Sequence, residues 1–138
     1  MNKRQRKKYL KKKGTYVNPT ECWNLDYTIT KWILPRLKLF REETVGYPSI
    51  DRKIYAETGK VVKITFEDWQ KILDEIILGF EQNLVDTSDY LIDDDLNFKL
   101  DIKNEADKKK YYDYCDERNK KIERGLDLFK YYFQDLWW

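Results

Sequence analysis

Apolar residues recur at intervals of three and four along three long stretches, and this spacing predicts three helices. In the first, Cys22–Glu42 (CWNLDYTITKWILPRLKLFRE), the stripe is Leu25, Ile29, Trp32 with Ile33, Leu37 and Phe40. Asn18-Pro19-Thr20-Glu21 predicts its start. Asn18 fits the N-cap, Pro19 the first helical position, and Glu21 the return partner of a capping box. Pro35 falls inside the stripe. It lacks the N–H that would bond the carbonyl of Lys31, and its ring crowds that carbonyl, so a kink or a junction of two helices is expected between Trp32 and Arg36.

The second stretch opens with Thr65-Phe66-Glu67-Asp68, a capping-box pattern with Asp in place of Glu. Phe66, Trp69, Ile72, Leu73, Ile76, Ile77 and Phe80 then fall on one face, which reads as core packing. The third is capped by Asn104 with Asp107 and carries the stripe Tyr111, Cys115, Ile122, Leu126, Phe129, Phe133 and Leu136. Unbroken, it would run about 33 residues, roughly 50 Å at 1.5 Å per residue. A helix of that length is expected to overhang and meet a second copy. Gly125 lies on or beside this stripe and would let a neighbour approach closely. The segment Phe129–Trp138 (FKYYFQDLWW) holds six aromatics in ten residues. It is expected to dock in the core and to make a dimer contact.

The connections read differently. Lys53-Ile54-Tyr55 and Val61-Val62-Lys63-Ile64 flank Glu57-Thr58-Gly59-Lys60, which suggests a short β-hairpin across 53–64. Residues 86–104 are acidic and turn-like. An EF-hand loop needs glycine at its sixth position and glutamate at its twelfth. Counting from Asp93, those positions hold Phe98 and Asn104, so the motif fails. The expected fold is all-α: three main helices in a bundle, the first kinked at Pro35, forming a single domain over 15–138.

Charge adds a further part. The net charge of +2 conceals eight basic side chains in residues 1–14: Lys3, Arg4, Arg6, Lys7, Lys8, Lys11, Lys12 and Lys13, with no acidic residue among them. The remainder holds 19 basic against 25 acidic residues, a net charge of −6. The chain therefore reads as a flexible basic arm on an acidic domain. Such an arm suits nucleic acid, whose counterions it would displace; the plainer reading is a solvated terminus. Aromatics make up 16% of the chain alongside 38% charged residues. That aromatic share supplies the burial that disordered chains lack.

Composition also narrows the chemistry. Histidine is absent. This removes Ser-His and Cys-His nucleophile pairs, a histidine base near neutral pH, and histidine metal ligands. The five glycines are scattered and form no phosphate-cradling loop. Carboxylates at Asp74, Glu75, Asp113, Asp116 and Glu117 could converge from two helices, as in the all-α nucleotide pyrophosphatases that bind magnesium. The repeated acidic pairs of those enzymes are missing, so a metal-dependent nucleotide hydrolase is the weakest reading. The chain reads as a non-enzyme without cofactor or metal. Cys22 and Cys115 are expected to be buried free thiols in a reducing compartment. The basic start is not followed by an apolar run, and no stretch approaches a membrane span of roughly 20 residues, so a cytoplasmic protein is expected.

Basic residues interleaved with aromatics mark the candidate binding site: Trp32, Arg36, Lys38 and Arg41, with Trp23, Asp26 and Tyr47. Arginine offers a planar fork to an anion, and tryptophan or tyrosine a stacking face. Several of these residues belong to a longer series of motifs. Trp23-x-Leu25-Asp26 is followed by Ile33-Leu34-Pro35-Arg36-Leu37-x-x-Phe40, Tyr47-Pro48 and Trp69-x-x-Ile72-Leu73. Gly125-Leu126-Asp127-Leu128-Phe129, Tyr132-Phe133 and Leu136-Trp137 complete it. This order, over residues 22–48, 66–81 and 122–138, resembles a group of small, uncharacterised bacteriophage and prophage proteins. The resemblance implies a phage origin and action inside a bacterial cell. It suits a small binder that inhibits a host defence protein or sequesters an anionic nucleotide-like ligand. The alternative is a nucleic-acid-binding accessory protein that uses the arm.

Overall fold

The computed structural model describes residues 1–137. Among them are five α-helices and no β-strand: α1 (Lys3–Lys12), α2 (Leu25–Glu43), α3 (Arg52–Thr58), α4 (Phe66–Asn83) and α5 (Glu105–Tyr132). The all-α expectation holds.

Central to the core is α4, which packs on α2 along one side and on α5 along another. Its start is the expected capping box: the Thr65 side chain accepts from the Asp68 N–H, and Asp68 accepts from the Thr65 N–H. Trp69, Leu73 and Ile76 are fully enclosed, with Ile77 and Phe80 beside them. Leu34 and Leu37 of α2 and Leu128 and Tyr132 of α5 complete the core. The Trp69 ring lies 6.4 Å from Phe40, edge-on, and 5.4 Å from Tyr132. Where α4 and α5 come closest, Gly79 faces Gly125. A Cβ on Gly79 would stand 2.8 Å from the Gly125 Cα. Polar links bind α2 to α4: Lys38 to Glu81 at 2.9 Å and Arg41 to Asp74 at 2.7 Å. Arg124 of α5 reaches Glu75 of α4 at 3.0 Å.

Several expectations need correction. Asn18 caps a single 3-10 turn, Pro19–Cys22, and not α2. Asn24 then turns left-handed (φ 51°), a conformation asparagine tolerates, and α2 begins at Leu25. Pro35 lies within one unbroken helix, with no second helix beginning at it. The hairpin over 53–64 is absent. Asp51 caps the N–H of Ile54 at 2.9 Å, residues 52–58 coil into α3, and Gly59 closes the helix at φ 70°. Lys63 instead forms an isolated bridge with Ile50, which lies outside the expected hairpin. The N-terminal arm is a capped helix, α1, with none of its residues buried. In the acidic loop, a short 3-10 turn (Thr87–Tyr90) precedes an isolated bridge between Ile92 and Phe98.

The buried faces only partly follow the expected stripes: Leu37 is buried, and Ile33, Phe40, Phe129 and Leu136 pack against the core. In α2 the enclosed residues are Thr30, Leu34 and Leu37, while Leu25, Ile29 and Trp32 face outward. In α5 they are Gly125, Leu128 and Tyr132, while Leu126 is exposed, as is Phe133 just past the helix. This helix ends at Tyr132, short of the expected length, and a 3-10 turn (Phe133–Asp135) follows. Cys22 and Cys115 are free, and neither is buried as expected: Cys22 is exposed and Cys115 half-buried. Trp138, part of the expected docked end, lies outside the described residues.

Candidate functional site

A helix turns 100° per residue, so residues spaced alternately three and four apart share a face. Leu25, Ile29, Trp32, Arg36 and Leu39 are spaced in that way along α2. They lie beside the buried face and not on it. The four apolar members of this seam are each about half exposed, Trp32 the most at 60%. Thus α2 carries two adjoining apolar faces, and the core uses one.

At its C-terminal half the outward seam forms one wall of an open groove of about 480 Å³. Trp32, Arg36, Leu39 and Phe40 line it from α2, and Leu136 and Trp137 from beyond α5. Trp137 is 74% exposed. Among the described residues the lining is apolar except for Arg36, whose guanidinium carbon sits 4.1 Å from the centre of the Trp32 ring. Its Nη1–H donates to the Trp32 carbonyl at 2.6 Å. The cation is thereby held over the indole, with the remaining N–H groups of the fork outside that bond.

The far wall depends on how the end of α5 is held. Asp135 accepts two hydrogen bonds from Arg52, at 3.1 Å from Nε and 2.9 Å from Nη2. The Tyr132 hydroxyl accepts from the Arg52 backbone N–H at 3.1 Å. Lys53 reaches Asp127 at 3.0 Å. Two successive residues of α3 therefore hold the end of α5: Lys53 grips the helix itself, and Arg52 the turn that delivers Leu136 and Trp137. Hydrogen bonding to Asp135 raises the Arg52 guanidinium above its ordinary value. Burial pushes the Tyr132 phenol up, partly offset by the N–H it accepts. Trp137 also borders a second cleft, of about 470 Å³, with Tyr47, Pro48, Arg52 and Asp135. Tyr47 meets Phe66 edge-on at 6.0 Å there.

Of the candidate residues, Trp32 and Arg36 share the groove, and Tyr47 lies across Trp137 in the neighbouring cleft. Lys38 and Arg41 are not in the groove; their charges are engaged by Glu81 and Asp74. Hydrogen bonding to Asp74 raises the Arg41 guanidinium. Asp26 accepts from Asn83 at 3.3 Å, at the opposite end of α2. Trp23 is exposed just before that helix. The eight basic residues of the arm lie along α1 and the residue after it, all exposed. Leu39, Leu136 and Trp137 were not among the candidates. The spacing of 25, 29, 32, 36 and 39 is the sequence feature that marks Leu39.

Asp74 and Glu75 pair with Arg41 and Arg124, and Glu117 with Lys120 at 3.3 Å. They do not converge with Asp113 and Asp116. Among the described residues no group of three or more Cys, Asp or Glu side chains gathers to hold a metal. None of the described helices is long and apolar enough to cross a membrane. Compared with family models, curated proteins and solved structures, the chain gives no match.

Proposed function

We propose that this chain is a non-enzymatic binding protein that seats an amphipathic helix of a partner protein on the outward face of α2 and in the Trp32–Trp137 groove. The carrying observation is the second apolar face of α2. An apolar seam left half exposed beside a completed core, and rimmed by charge, is the usual mark of an interaction surface. Its repeat averages 3.5 residues, the spacing of helix-on-helix seams. Trp32, Trp137 and Arg36 are the residue types that dominate interface energetics. In this reading α2, α4 and α5 form a three-helix bundle, and a bend in α2 at Pro35 shapes the groove.

A protein helix fits better than the nucleotide-like ligand. A nucleotide's phosphates call for several unengaged cations, and among the described residues the groove offers Arg36 alone, because Lys38 and Arg41 are paired elsewhere. One cation among carbon walls suits a helix with apolar anchors and one acidic residue. The resemblance to phage proteins supports a phage-encoded inhibitor of a host defence protein, acting in the bacterial cytoplasm. A second copy of the chain is the competing occupant.

The test pairs capture with point variants. Full-length protein and its Trp32→Ala and Trp137→Ala forms are used as bait in bacterial lysate. The partner retained is then purified and titrated by calorimetry. Each variant is expected to weaken binding about 30-fold or more, about 2 kcal/mol, while helical circular dichroism is unchanged. Equal affinity in both variants rejects the groove. A dimer seen by light scattering and abolished by Trp32→Asp assigns the face to self-association instead.

A further inference from the structure

We propose that α1 is a second, independent binding element that grips the phosphate backbone of nucleic acid without reading its sequence. Eight cations lie between Lys3 and Lys13, and only Gln5, Tyr9 and Leu10 interrupt them. The helix is closed at its start by a capping box, with Asn2 and Gln5 exchanging hydrogen bonds of 2.9 and 3.0 Å. Among the described residues, none of the eight forms an ion pair. Lys7 and Lys11 instead lie 5.3 Å from the Tyr16 ring, and Lys13 lies 5.0 Å from Tyr9. Ring faces gather the ammonium groups but leave their charge unneutralised.

This arrangement works against the free helix. Lys3 and Lys7, Arg4 and Lys8, Lys7 and Lys11, and Lys8 and Lys12 are like charges four residues apart, and each pair repels. A dense anion would relieve all four. Coiling also sets the charge spacing. At a rise of 1.5 Å per residue, eight charges over Lys3–Lys13 fall about 2 Å apart along the axis, close to the roughly 1.7 Å per charge of duplex DNA. Six of the eight are lysines, point charges that hold phosphate and discriminate bases poorly. A membrane surface is the poorer partner, because an interfacial helix needs an apolar face and α1 offers only Tyr9 and Leu10. The remaining chain, at −6, would be held off a polyanion, so contact is confined to α1.

The test uses the full chain and a Lys7→Gln, Lys8→Gln, Lys11→Gln, Lys12→Gln variant. Glutamine keeps helix propensity near that of lysine, and α1 buries nothing, so the rest of the fold is untouched. Fluorescence anisotropy with a 25-base-pair duplex of arbitrary sequence is followed from about 50 to 300 mM NaCl. The full chain is expected to show a slope of log K against log salt as steep as about −7, and the variant a slope shallower by three to four. A scrambled duplex should bind equally well. The proposal is overturned by no binding at 50 mM NaCl, or by an unchanged slope in the variant. Tighter binding to phosphatidylserine vesicles than to the duplex overturns it as well. Groove binding by residues 15–138 is read separately, because the four substitutions lie outside it.

Discussion

Tyr132 and Phe133 are neighbours at the end of α5, and the more polar of the two is inside. Tyr132 is 1% exposed and Phe133 62%. Hydropathy alone ranks them the other way, and the expected stripe followed hydropathy. What reverses the order is a donor 80 residues away, the backbone N–H of Arg52. A buried hydroxyl is tolerated when it is hydrogen-bonded, and no local pattern can announce that partner. Tyr132→Phe is therefore expected to lower stability by about 1–3 kcal/mol, because it leaves that N–H without its acceptor. Phe133→Ala should cost less, about 0.5–1 kcal/mol, for the edge-on contact its ring makes with Phe129 at 5.5 Å. Urea denaturation checks both, as a shift in midpoint with an unchanged slope.

Between elements, the closest contact is made by two residues without side chains. A Cβ on Gly125 would stand 2.7 Å from the Gly79 Cα and 3.0 Å from the Glu75 carbonyl oxygen. Both are backbone atoms, so relief requires α4 and α5 to part. Gly125→Ala gains about 1 kcal/mol of helix propensity, but overpacking costs typically 1–3 kcal/mol. The net is expected to be destabilising, and larger for Gly79 and Gly125 replaced together, as thermal unfolding would show. The role of Gly125 was legible from its place near the stripe; that of Gly79 was not, because it sits among strong core residues that account for α4 by themselves. Capping chemistry made α4 readable almost residue for residue. The face of α2 was misread because it holds two apolar seams, and the richer one, with Trp32, is the one the core does not use. Lys53-Ile54-Tyr55 suggests a strand through its β-branched and aromatic residues and Glu57–Lys60 a turn, whereas the Asp51 cap and Gly59 stop enclose both in one helix. Half of the site was legible through Trp32 and Arg36. The other half, Leu136 and Trp137, depends on the Arg52–Asp135 clamp across the fold.

At the scale of the whole molecule, charge decides behaviour in acid. Among the described residues, three carboxylates are held below the ordinary value of 3.8. Asp68 is lowered by the Thr65 backbone N–H and hydroxyl, Asp86 by Ser88, and Asp127 by hydrogen bonds from Lys53 and then Lys130. A folded-state value below the unfolded one means that the unfolded chain binds protons first. The stabilisation is therefore complete well above pH 3.8 and is lost as pH falls below 3.8 through each depressed folded value. Protonation also strips the 25 acidic residues of charge while 27 basic ones remain, so self-repulsion grows in the same window. The thermal midpoint is expected to be flat from about pH 7 to 5 and to fall steeply toward pH 3. Asp68→Asn separates the two causes. Its amide oxygen can still accept from Thr65, so the cap persists, but it no longer titrates. Its midpoint should drop less between pH 5 and 3 than that of the parent chain in circular dichroism melts. An identical drop in the two proteins would assign acid sensitivity to global repulsion alone and leave the α4 cap without a part in it.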